Sequence, residues 1–306
     1  MKYLSLCIPT NGITEWVFPV LSAIYRQNVS LEEYEVVVTD NGKDNEFYNE
    51  MLRWEAQYPN LIYKRTEAFL FENQIEALRL ATGEYLKFMN HRSILEPGAL
   101  QWMINFVKKY RYEKPVIYLS NGALKLSGTK ECKNFDDFVK GIEHYASWTT
   151  GVGVWRSDFR RIPENHIYNK ISPHSDVLFA ERNRDKYVID DTIWSHDIDS
   201  SHVKKGKYDL YKAFAVEEIS ITLQLFLDGD ISAKTLKYVI KRYERCVAEF
   251  YALFNILKTP CSYILEGFDD AMGIFVSRRE VLLKAYIFSI KLWLAQIINM
   301  VRKKSS

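Results

Sequence analysis

The first forty residues alternate short apolar runs with polar residues in a repeating order. Tyr3–Ile8 is apolar and ends at Pro9-Thr10-Asn11-Gly12, and Tyr34–Val38 is apolar and ends at Thr39-Asp40-Asn41-Gly42. Between them, the apolar positions of residues 16–25 recur at helical spacing, so the pattern predicts strand, helix, strand. Polar residues after both strands are typical of a parallel half-domain that binds a nucleotide at the carboxyl edge of its sheet.

The same order recurs around residues 83–98. Gly83 follows a helical pattern, Tyr85–Met89 is predicted to be an apolar strand, and Pro97-Gly98 precedes another helical pattern. Four polar residues, Asn90-His91-Arg92-Ser93, lie between the strand and the Pro-Gly pair. Because an α/β sheet binds its ligand beyond the carboxyl ends of its strands, these residues are predicted to form an active-site edge.

Helical patterns replace this alternation from residue 215 onward. We therefore predict an α/β domain over residues 1–214 and a helical region over residues 215–306. Near its end, the apolar segment Val281–Val301 contains Lys284 and Lys291 and is followed by Arg302-Lys303-Lys304. Lysines seven residues apart share one helix face and are costly inside a bilayer. The segment is therefore predicted to lie on a membrane surface or against a partner such as a second copy, rather than to cross a membrane.

Composition narrows the class of protein. Hydrophobic residues make up 47% of the 306 residues and aromatic residues 14%, which is enough for a sizeable core. The net charge of +2 gives no support to a nucleic-acid partner. The four cysteines have no metal-ligand spacing and indicate free thiols of a reducing compartment, with disulfides as the alternative. The N-terminus does not have the pattern of a signal peptide, so we expect a cytoplasmic location.

The segment Gly83–Gly98 resembles family 2 inverting glycosyltransferases of the GT-A fold. In that family Gly-Glu-Tyr, an apolar strand, Asp-x-Asp-Asp, an apolar pair, Pro and Gly follow one another. The resemblance extends over residues 1–214 and implies a Rossmann-like mixed central sheet flanked by helices, with a helical C-terminal extension. The acidic residues differ here, because Asn90 and Arg92 occupy the places of the Asp-x-Asp pair and Ser93 that of the trailing Asp. A guanidinium thus replaces the metal-binding carboxylate.

The resemblance implies a nucleotide-sugar donor site at the strand ends. The residues that it assigns to this site are Pro9, Thr10, Asp40, Asn73, Asn90, His91 and Arg92. A strand-end carboxylate such as that of Asp40 can accept hydrogen bonds from a base imino group or from sugar hydroxyls. Residues 40–42 are equally typical of a turn, and Asn73 is equally suited to cap the helix that it begins.

A second group of residues, Ile171–Phe179, places Asp176 at the start of an apolar helical run and two residues after His174. Family 2 enzymes hold their catalytic carboxylate at the N-terminus of a helix past the acceptor loop. The resemblance therefore implies that Asp176 takes the proton from an acceptor hydroxyl, and the alternative is a helix cap. The glycine-punctuated residues 148–156 resemble the family's acceptor cavity, so Gly151 and Gly153, together with His174, are assigned to acceptor binding.

Residues 200–208 are rich in hydroxyls and cations. Lys204, Lys205 and Lys207 are predicted to close over the donor diphosphate, with a solvated charge run as the alternative. In the family, an Asp holds Mg²⁺ or Mn²⁺ against the leaving phosphates. Arg92 is itself a cation, so we predict that Arg92, helped by His91 or the lysines, makes transfer metal-independent or weakly metal-dependent. No metal site is assigned, and His196 is the remaining candidate for a metal ligand.

The combined prediction is a glycosyltransferase that moves a sugar with inversion from a nucleotide-sugar donor. The expected acceptor is a hydroxyl of a glycan or of a polyprenyl-linked oligosaccharide in capsule or O-antigen synthesis, at the inner face of the cell membrane. One alternative is a catalytically inactive GT-A module that binds nucleotide or glycan within an assembly complex. Another is a structural partner of such a complex, held by the terminal helix.

Overall fold

The computed structural model describes residues 2–199 and 208–304, with side chains as far as residue 295. Packing divides the chain into two compact units, Met1–Asp199 and Ser200–Ser306. This division falls earlier than the boundary that the sequence predicts near residue 214. Contacts with residues later in the chain explain the difference, because the carboxylate of Asp209 accepts a hydrogen bond from the N–H of Gly267 and the Leu210 N–H donates to the Ile264 carbonyl. The chain on the C-terminal side of residue 208 therefore pairs with the helical unit.

The first unit is built from strands and helices that alternate along the chain. The strands are β1 (Leu4–Thr10), β2 (Tyr34–Asp40), β3 (Leu61–Arg65), β4 (Tyr85–Phe88), β5 (Ser93–Leu95), β6 (Val116–Leu119), β7 (Thr129–Cys132), β8 (Gly153–Trp155), β9 (Tyr187–Asp190) and β10 (Ser195–Asp197). The helices are α1 (Thr14–Tyr25), α2 (Asn45–Gln57), α3 (Asn73–Leu80), α4 (Ala99–Tyr110), α5 (Phe135–Ile142), α6 (Arg156–Phe159) and α7 (Pro173–Leu178). Short 3-10 turns occur at Leu70–Glu72, Glu143–Ser147 and Thr149–Gly151.

The central sheet has the strand order β3-β2-β1-β4-β8. Strands β1 to β4 run parallel and β8 runs antiparallel to β4, so the sheet is mixed, as the family resemblance implies. Every residue of β2 is buried, because helices cover both faces of the sheet. Leu6 and Ile8 of β1 join the core that includes α1 and α4. Cys7, between them, faces the opposite layer, where its thiol approaches the Ala77 carbonyl of α3 at 3.8 Å.

Two smaller sheets complete the first unit. Strands β6, β9 and β7 form one of them, with β9 in the middle, and β5 pairs antiparallel with β10 in the other. The β5–β10 pairing sets Ser93 opposite Asp197 and Ile94 opposite His196. The chain just after β4 is therefore joined to a segment about one hundred residues later, which positions the polar residues that follow β4.

The second unit is helical, as the sequence predicts. Its helices are α8 (Leu210–Lys212), α9 (Glu218–Leu227), α10 (Ala233–Tyr251), α11 (Phe268–Ala271) and α12 (Arg278–Lys304), with π-helical turns at Ala213–Glu217 and Ala252–Ile256. Helix α12 packs on α10 and buries Val281, Ala285 and Ser289, which share one face at a spacing of four residues. Within the described chain, no helix has both the length and the hydrophobicity that crossing a bilayer requires.

Candidate active site

Asn73 joins the carboxyl ends of β1 and β2. Its side-chain N–H groups donate to the carbonyls of Thr10 at 3.0 Å and Thr39 at 2.8 Å, and its Oδ1 accepts from the Thr66 hydroxyl at 2.8 Å. Asn73 is the first residue of α3, and its side chain bonds to the strand ends instead of capping that helix. The capping alternative is therefore wrong, and these three bonds fix the start of α3 at the predicted ligand edge.

Asp40 lies at the same edge, opposite Thr10 in the β1–β2 register. Its buried carboxylate accepts hydrogen bonds from the Gly42 N–H at 2.7 Å and the Tyr63 hydroxyl at 3.1 Å, and the Arg65 Nε lies 3.7 Å away. Burial raises the pKa of Asp40, and the bonds from Gly42 and Tyr63 and the charge of Arg65 oppose that rise. The bond to Gly42 is the turn that the sequence analysis named as the alternative. A carboxylate has about four acceptor positions, so this turn leaves capacity for a ligand.

Two loops meet beside Asp40, and the space between them admits only a glycine at position 42. A Cβ on Gly42 would lie 2.3 Å from the Asn11 carbonyl oxygen and 2.8 Å from the Asp40 Oδ1. The loop after β1 and the loop after β2 thus pack directly on one another. Their close contact shapes the edge before any ligand binds.

His91 connects the end of β1 with the chain after β4. Its Nδ1 is hydrogen-bonded to the Thr10 hydroxyl at 2.8 Å, and its ring packs edge-on against Trp16. Enclosure by the protein and the charge of Arg92 lower the pKa of His91 to about 3. The imidazole is therefore neutral near pH 7. It can bind a donor by hydrogen bonding, but it cannot supply the positive charge that the sequence analysis expected of it.

Arg92 forms an ion pair with Asp197, a residue to which sequence analysis gave no role. The Arg92 Nη2 lies 3.1 Å from the Asp197 Oδ2, and the Ser93 hydroxyl donates to the Asp197 Oδ1 at 2.6 Å. The side chain of Arg92 is 19% exposed, so it does not extend into bulk water. Asn90 stabilises the turn between β4 and β5, because its Oδ1 accepts from the Arg92 N–H and its carbonyl from the Ser93 N–H. Arg92 and Ser93, which occupy places of the predicted Asn90–Ser93 edge, therefore form a cluster with Asp197.

This cluster does not suit a divalent metal ion. The Asp197 carboxylate is already bonded to a guanidinium and a hydroxyl, and His196 is exposed and pairs with Glu96 at 2.7 Å. Across residues 2–199 and 208–304, no three His, Cys, Asp or Glu side chains are grouped as metal ligands would be. The described residues therefore offer no ligand set of the kind that the family's acidic motif supplies.

Lys87 is a buried cation that sequence analysis missed, because it lies inside an apolar strand. Its Nζ donates to the carbonyls of Phe88 at 2.9 Å, Val152 at 3.3 Å and Thr150, and lies 4.8 Å from the centre of the Trp194 ring. Burial lowers the pKa of Lys87 to about 7. The ammonium holds the Thr149–Gly151 turn against β4. An ionisable residue within a predicted apolar strand was the available signal.

The two glycines assigned to acceptor binding have a packing role. A Cβ on Gly151 would lie 2.2 Å from the Tyr118 ring, and a Cβ on Gly153 would lie 2.5 Å from the Tyr85 hydroxyl oxygen. Tyrosine side chains thus cover both α-carbons. Acceptor binding by these glycines stays a prediction.

His174 ties the start of α7 to the start of α3. Its ring nitrogens lie 3.0 Å from the Ser147 carbonyl, 3.2 Å from the Gln74 Oε1 and 3.3 Å from the Thr149 hydroxyl. Burial lowers the pKa of His174 to about 4, so the ring is neutral near pH 7. Gln74 follows Asn73, and α7 therefore begins beside the edge where β1 and β2 end.

Asp176 lies in the first turn of α7, two residues after His174. Its Oδ2 accepts a hydrogen bond from the N–H of Asn169, which belongs to the segment before the helix. Burial raises the pKa of Asp176, while the Asn169 bond and the charges of His166 and Arg182 oppose the rise. A raised pKa makes the carboxylate a stronger base than an exposed aspartate.

The structure gathers part of the predicted site at one edge. Contacts or chain neighbours connect the donor-site residues Pro9, Thr10, Asp40, Asn73, Asn90, His91 and Arg92. The acceptor-site residue His174 and the predicted base Asp176 follow on α7. Lys204, Lys205 and Lys207 lie outside the described residues. An edge of this kind suits an enzyme that binds a nucleotide and transfers a group from it.

Comparison with known proteins gives the family. Residues 5–159 match Glycosyl transferase family 2, and because this match covers half of the chain, the protein belongs to that family. It is therefore a glycosyltransferase, as the sequence predicts. No curated protein sequence matches the chain significantly.

Solved structures show the same fold. The chain is similar to S. aureus TarS 1-349 in complex with UDP-GlcNAc, with a TM-score of 0.62, 16% identity and coverage of 92% of this chain and 83% of that one. The complex of the same fragment with UDP gives a TM-score of 0.54 at 16% identity, covering 90% and 76%. Against the longer TarS structure the TM-score is 0.52 at 17% identity, covering 83% of this chain and 43% of that one. The predicted GT-A architecture is thus confirmed.

Proposed function

We propose that the protein transfers a sugar with inversion from a nucleotide-sugar donor to a hydroxyl of a glycan or lipid-linked oligosaccharide in surface polysaccharide synthesis. The observation that carries this proposal is the junction of β1, β2 and β4. There Asn73 bonds the strand ends together, and Asp40, Thr10 and His91 lie side by side. The TarS fragment crystallised with UDP-GlcNAc has the same fold, which supports a nucleotide-sugar donor for this chain.

Asp176 is the base in the proposed reaction. Its carboxylate takes the proton of the acceptor hydroxyl while that oxygen attacks the anomeric carbon of the donor. The bond from that carbon to the phosphate oxygen breaks, and its electron pair leaves with the nucleotide. A single displacement of this kind inverts the anomeric configuration. The raised pKa of Asp176 favours proton uptake, and the bond from Asn169 holds the carboxylate in place.

The proposed role of Arg92 is to stabilise the leaving phosphates. The Arg92 guanidinium carries a permanent positive charge at this edge, and guanidinium groups bind phosphate oxygens through parallel N–H bonds. We expect transfer to be metal-independent or weakly metal-dependent. An assay with and without EDTA tests this, and complete loss of transfer with EDTA that Mn²⁺ restores would reject it. The alternative is a donor whose leaving group is a nucleoside monophosphate, which requires less charge to be neutralised, and a panel of donors separates the two.

Replacement of Asp176 tests the assignment of the base. Asp176→Asn should lower the transfer rate by about a thousandfold and leave donor affinity nearly unchanged. Asn keeps an oxygen that can accept the Asn169 N–H, so the loop before α7 should stay in place. Asp185→Asn, a neighbouring exposed aspartate, is the matched control and should transfer at the wild-type rate. An active Asp176→Asn enzyme would remove the assignment.

A second candidate function is a catalytically inactive module that binds nucleotide or glycan within an assembly complex. The observation that favours it is the Arg92-Asp197-Ser93 cluster at the place of the family's acidic motif. This candidate predicts donor binding by calorimetry with no product over any acceptor. A structural partner in such a complex would bind no nucleotide.

We further propose that α12 lies on the anionic inner face of the cell membrane. Six large apolar side chains line the face opposite the buried one, each between 46% and 58% exposed: Leu283, Tyr286, Ile287, Ile290, Trp293 and Leu294. No acidic residue occurs between positions 281 and 301, and Arg302-Lys303-Lys304 follow. Aromatic and aliphatic residues combined with cations suit an interfacial helix.

Flotation with vesicles tests this placement. The protein should float with vesicles that contain anionic lipid and less with neutral ones, and Trp293→Asn with Ile290→Asn should abolish flotation. Arg26→Gln, in the first unit, is a control that should float like the wild type. Failure to float together with a concentration-dependent dimer that the same variants dissociate would assign this face to a second copy instead.

A further inference from the structure

A second site lies at the end of α3 that is remote from Asn73. A half-open cavity of about 520 Å³ is lined there by polar residues together with apolar residues of the α3 end and of the loop after α6. The polar residues are Arg79, Thr82, Arg156, Arg160, Glu164 and Tyr168. Helix α3 has eight residues, so its two ends are separated by about 12 Å at about 1.5 Å per residue. The cavity is therefore distinct from the predicted donor edge.

Three arginines and one acidic residue line this cavity. Arg79 donates to Glu76 at 2.6 Å and Arg156 to the Thr82 carbonyl at 2.8 Å, and each keeps further N–H donors. Arg160 forms no ion pair with any described residue. Glu164 is the single acidic side chain of the lining, so the cavity has an excess of positive charge. Grouped guanidinium groups suit an anion, since each can bind phosphate or carboxylate oxygens through two parallel bonds.

Tyr168 connects this cavity with Asp176. Its side chain lines the cavity, and it lies in the segment whose next residue, Asn169, donates its N–H to Asp176. Burial raises the pKa of Tyr168, the nearby charge of Arg79 lowers it, and that of Asp176 raises it. The hydroxyl is thus within electrostatic reach of both the arginine cavity and the proposed base. The segment from Tyr168 to Asn169 therefore runs from the cavity lining to a direct contact with Asp176.

We propose that the cavity is an acceptor subsite that binds an anionic group, a phosphate or a carboxylate, at a distance from the hydroxyl that receives the sugar. This proposal rests on the proposed function, because it gives that function an acceptor class. Arg160 and Arg156 bind the anion, Arg79 adds charge, and the apolar lining contacts the adjoining part of the acceptor. The neutral donor-edge residue His91 takes no part in it.

Direct binding tests the site without any transfer reaction. Methyl phosphate and acetate are titrated into the full-length protein, and binding is followed by NMR of arginine side chains. Arg160→Gln removes a guanidinium that makes no ion pair within the described residues, and it should weaken methyl phosphate binding by about tenfold. Arg53→Gln, at an exposed arginine on α2, should leave it unchanged. Equal binding by wild type and Arg160→Gln would overturn the proposal.

Kinetics then test the acceptor role. Three acceptors with the same glycan are compared, one with a phosphate, one with a carboxylate and one neutral. Arg160→Gln should raise KM for an anionic acceptor by about tenfold, with kcat, donor KM and the neutral acceptor unchanged. A preference for phosphate or carboxylate in the wild type identifies the group. Equal losses with all three acceptors would overturn the subsite.

The two experiments separate this proposal from the proposed function. If methyl phosphate bound at Arg160 but no acceptor received a sugar, the anion site would be supported and the proposed transfer reaction would be refuted. Transfer to all three acceptors with equal KM, and no phosphate binding, would refute the subsite and keep the transferase.

Discussion

Replacing Asn73 by Ala tests the junction on which the donor site depends. The substitution removes two donors, which serve the carbonyls of Thr10 and Thr39, and one acceptor, which serves the Thr66 hydroxyl. All of these groups are buried. Alanine reproduces none of these bonds, and the loss should therefore appear in the stability of the first unit.

The magnitude follows from the number of bonds. A net contribution of about 1 kcal/mol for each buried hydrogen bond predicts a loss of about 3 kcal/mol in the free energy of unfolding. Thr66→Val removes one of the three bonds and should cost about 1 kcal/mol. Asn73→Ala already removes the Thr66 bond, so the two losses should not add in the double variant. A double-mutant cycle of the unfolding free energies should therefore show a coupling energy of about 1 kcal/mol.

Urea unfolding of the full-length protein, followed by tryptophan fluorescence, measures these differences. Asn105→Ala, at an exposed position of α4, is the control and should change stability by less than about 0.5 kcal/mol. If Asn73→Ala were as stable as the wild type, the three bonds of Asn73 would not hold the junction together. If Asn73→Ala kept wild-type stability but lost nucleotide binding, the Asn73 amide would have to contact the donor directly.

Three further predictions follow from charges at the site. The transfer rate should fall as pH decreases through the pKa of Asp176, because only the ionised carboxylate is a base. Burial raises that pKa, so the fall should occur at a higher pH than for an exposed aspartate. A pH profile of the transfer rate checks this, and a fall only at strongly acidic pH would contradict it. Arg92→Met should lower kcat by about a hundredfold, because it removes the positive charge beside the leaving phosphates. Asp197→Asn should keep the wild-type kcat, because Arg92 stays charged. Equal losses of kcat in both variants would assign the ion pair a structural role. The pKa of Lys87 is about 7 when folded and ordinarily 10.5, so the unfolded chain binds more protons between these values and stability rises with pH there. Relative to Lys87→Met, the wild type should gain about 2 kcal/mol in urea unfolding from pH 7 to pH 9, and no relative gain would contradict a buried amine.

The local hydrophobic pattern predicted three of the five strands of the central sheet, β1, β2 and β4. Strands β1 and β2 read as apolar runs because both of their faces are buried, and each ends at polar residues where the sheet meets its ligand edge. The same logic placed Asn90 to Ser93 at that edge. The helical character of the chain after residue 215 was likewise visible in its periodicity.

Contacts between distant residues were not predictable in this way. The Arg92 and Asp197 pair depends on the β5–β10 pairing, which joins segments about one hundred residues apart. Lys87 bonds to carbonyls of a turn more than sixty residues later. No local pattern contains such information, because it arises only when the sheets assemble. The protonation of His91 was missed for the same reason, since the enclosure that lowers its pKa is tertiary.

The anomeric configuration of the product tests the proposed inverting mechanism most directly. Transfer by the wild type and by Asp176→Asn can be followed by proton NMR with one nucleotide-sugar donor and a glycan acceptor, with EDTA present. We predict a product whose anomeric configuration is opposite to that of the donor, and a transfer rate about a thousandfold lower for the variant. Retained configuration, or turnover by Asp176→Asn at the wild-type rate, would contradict this mechanism.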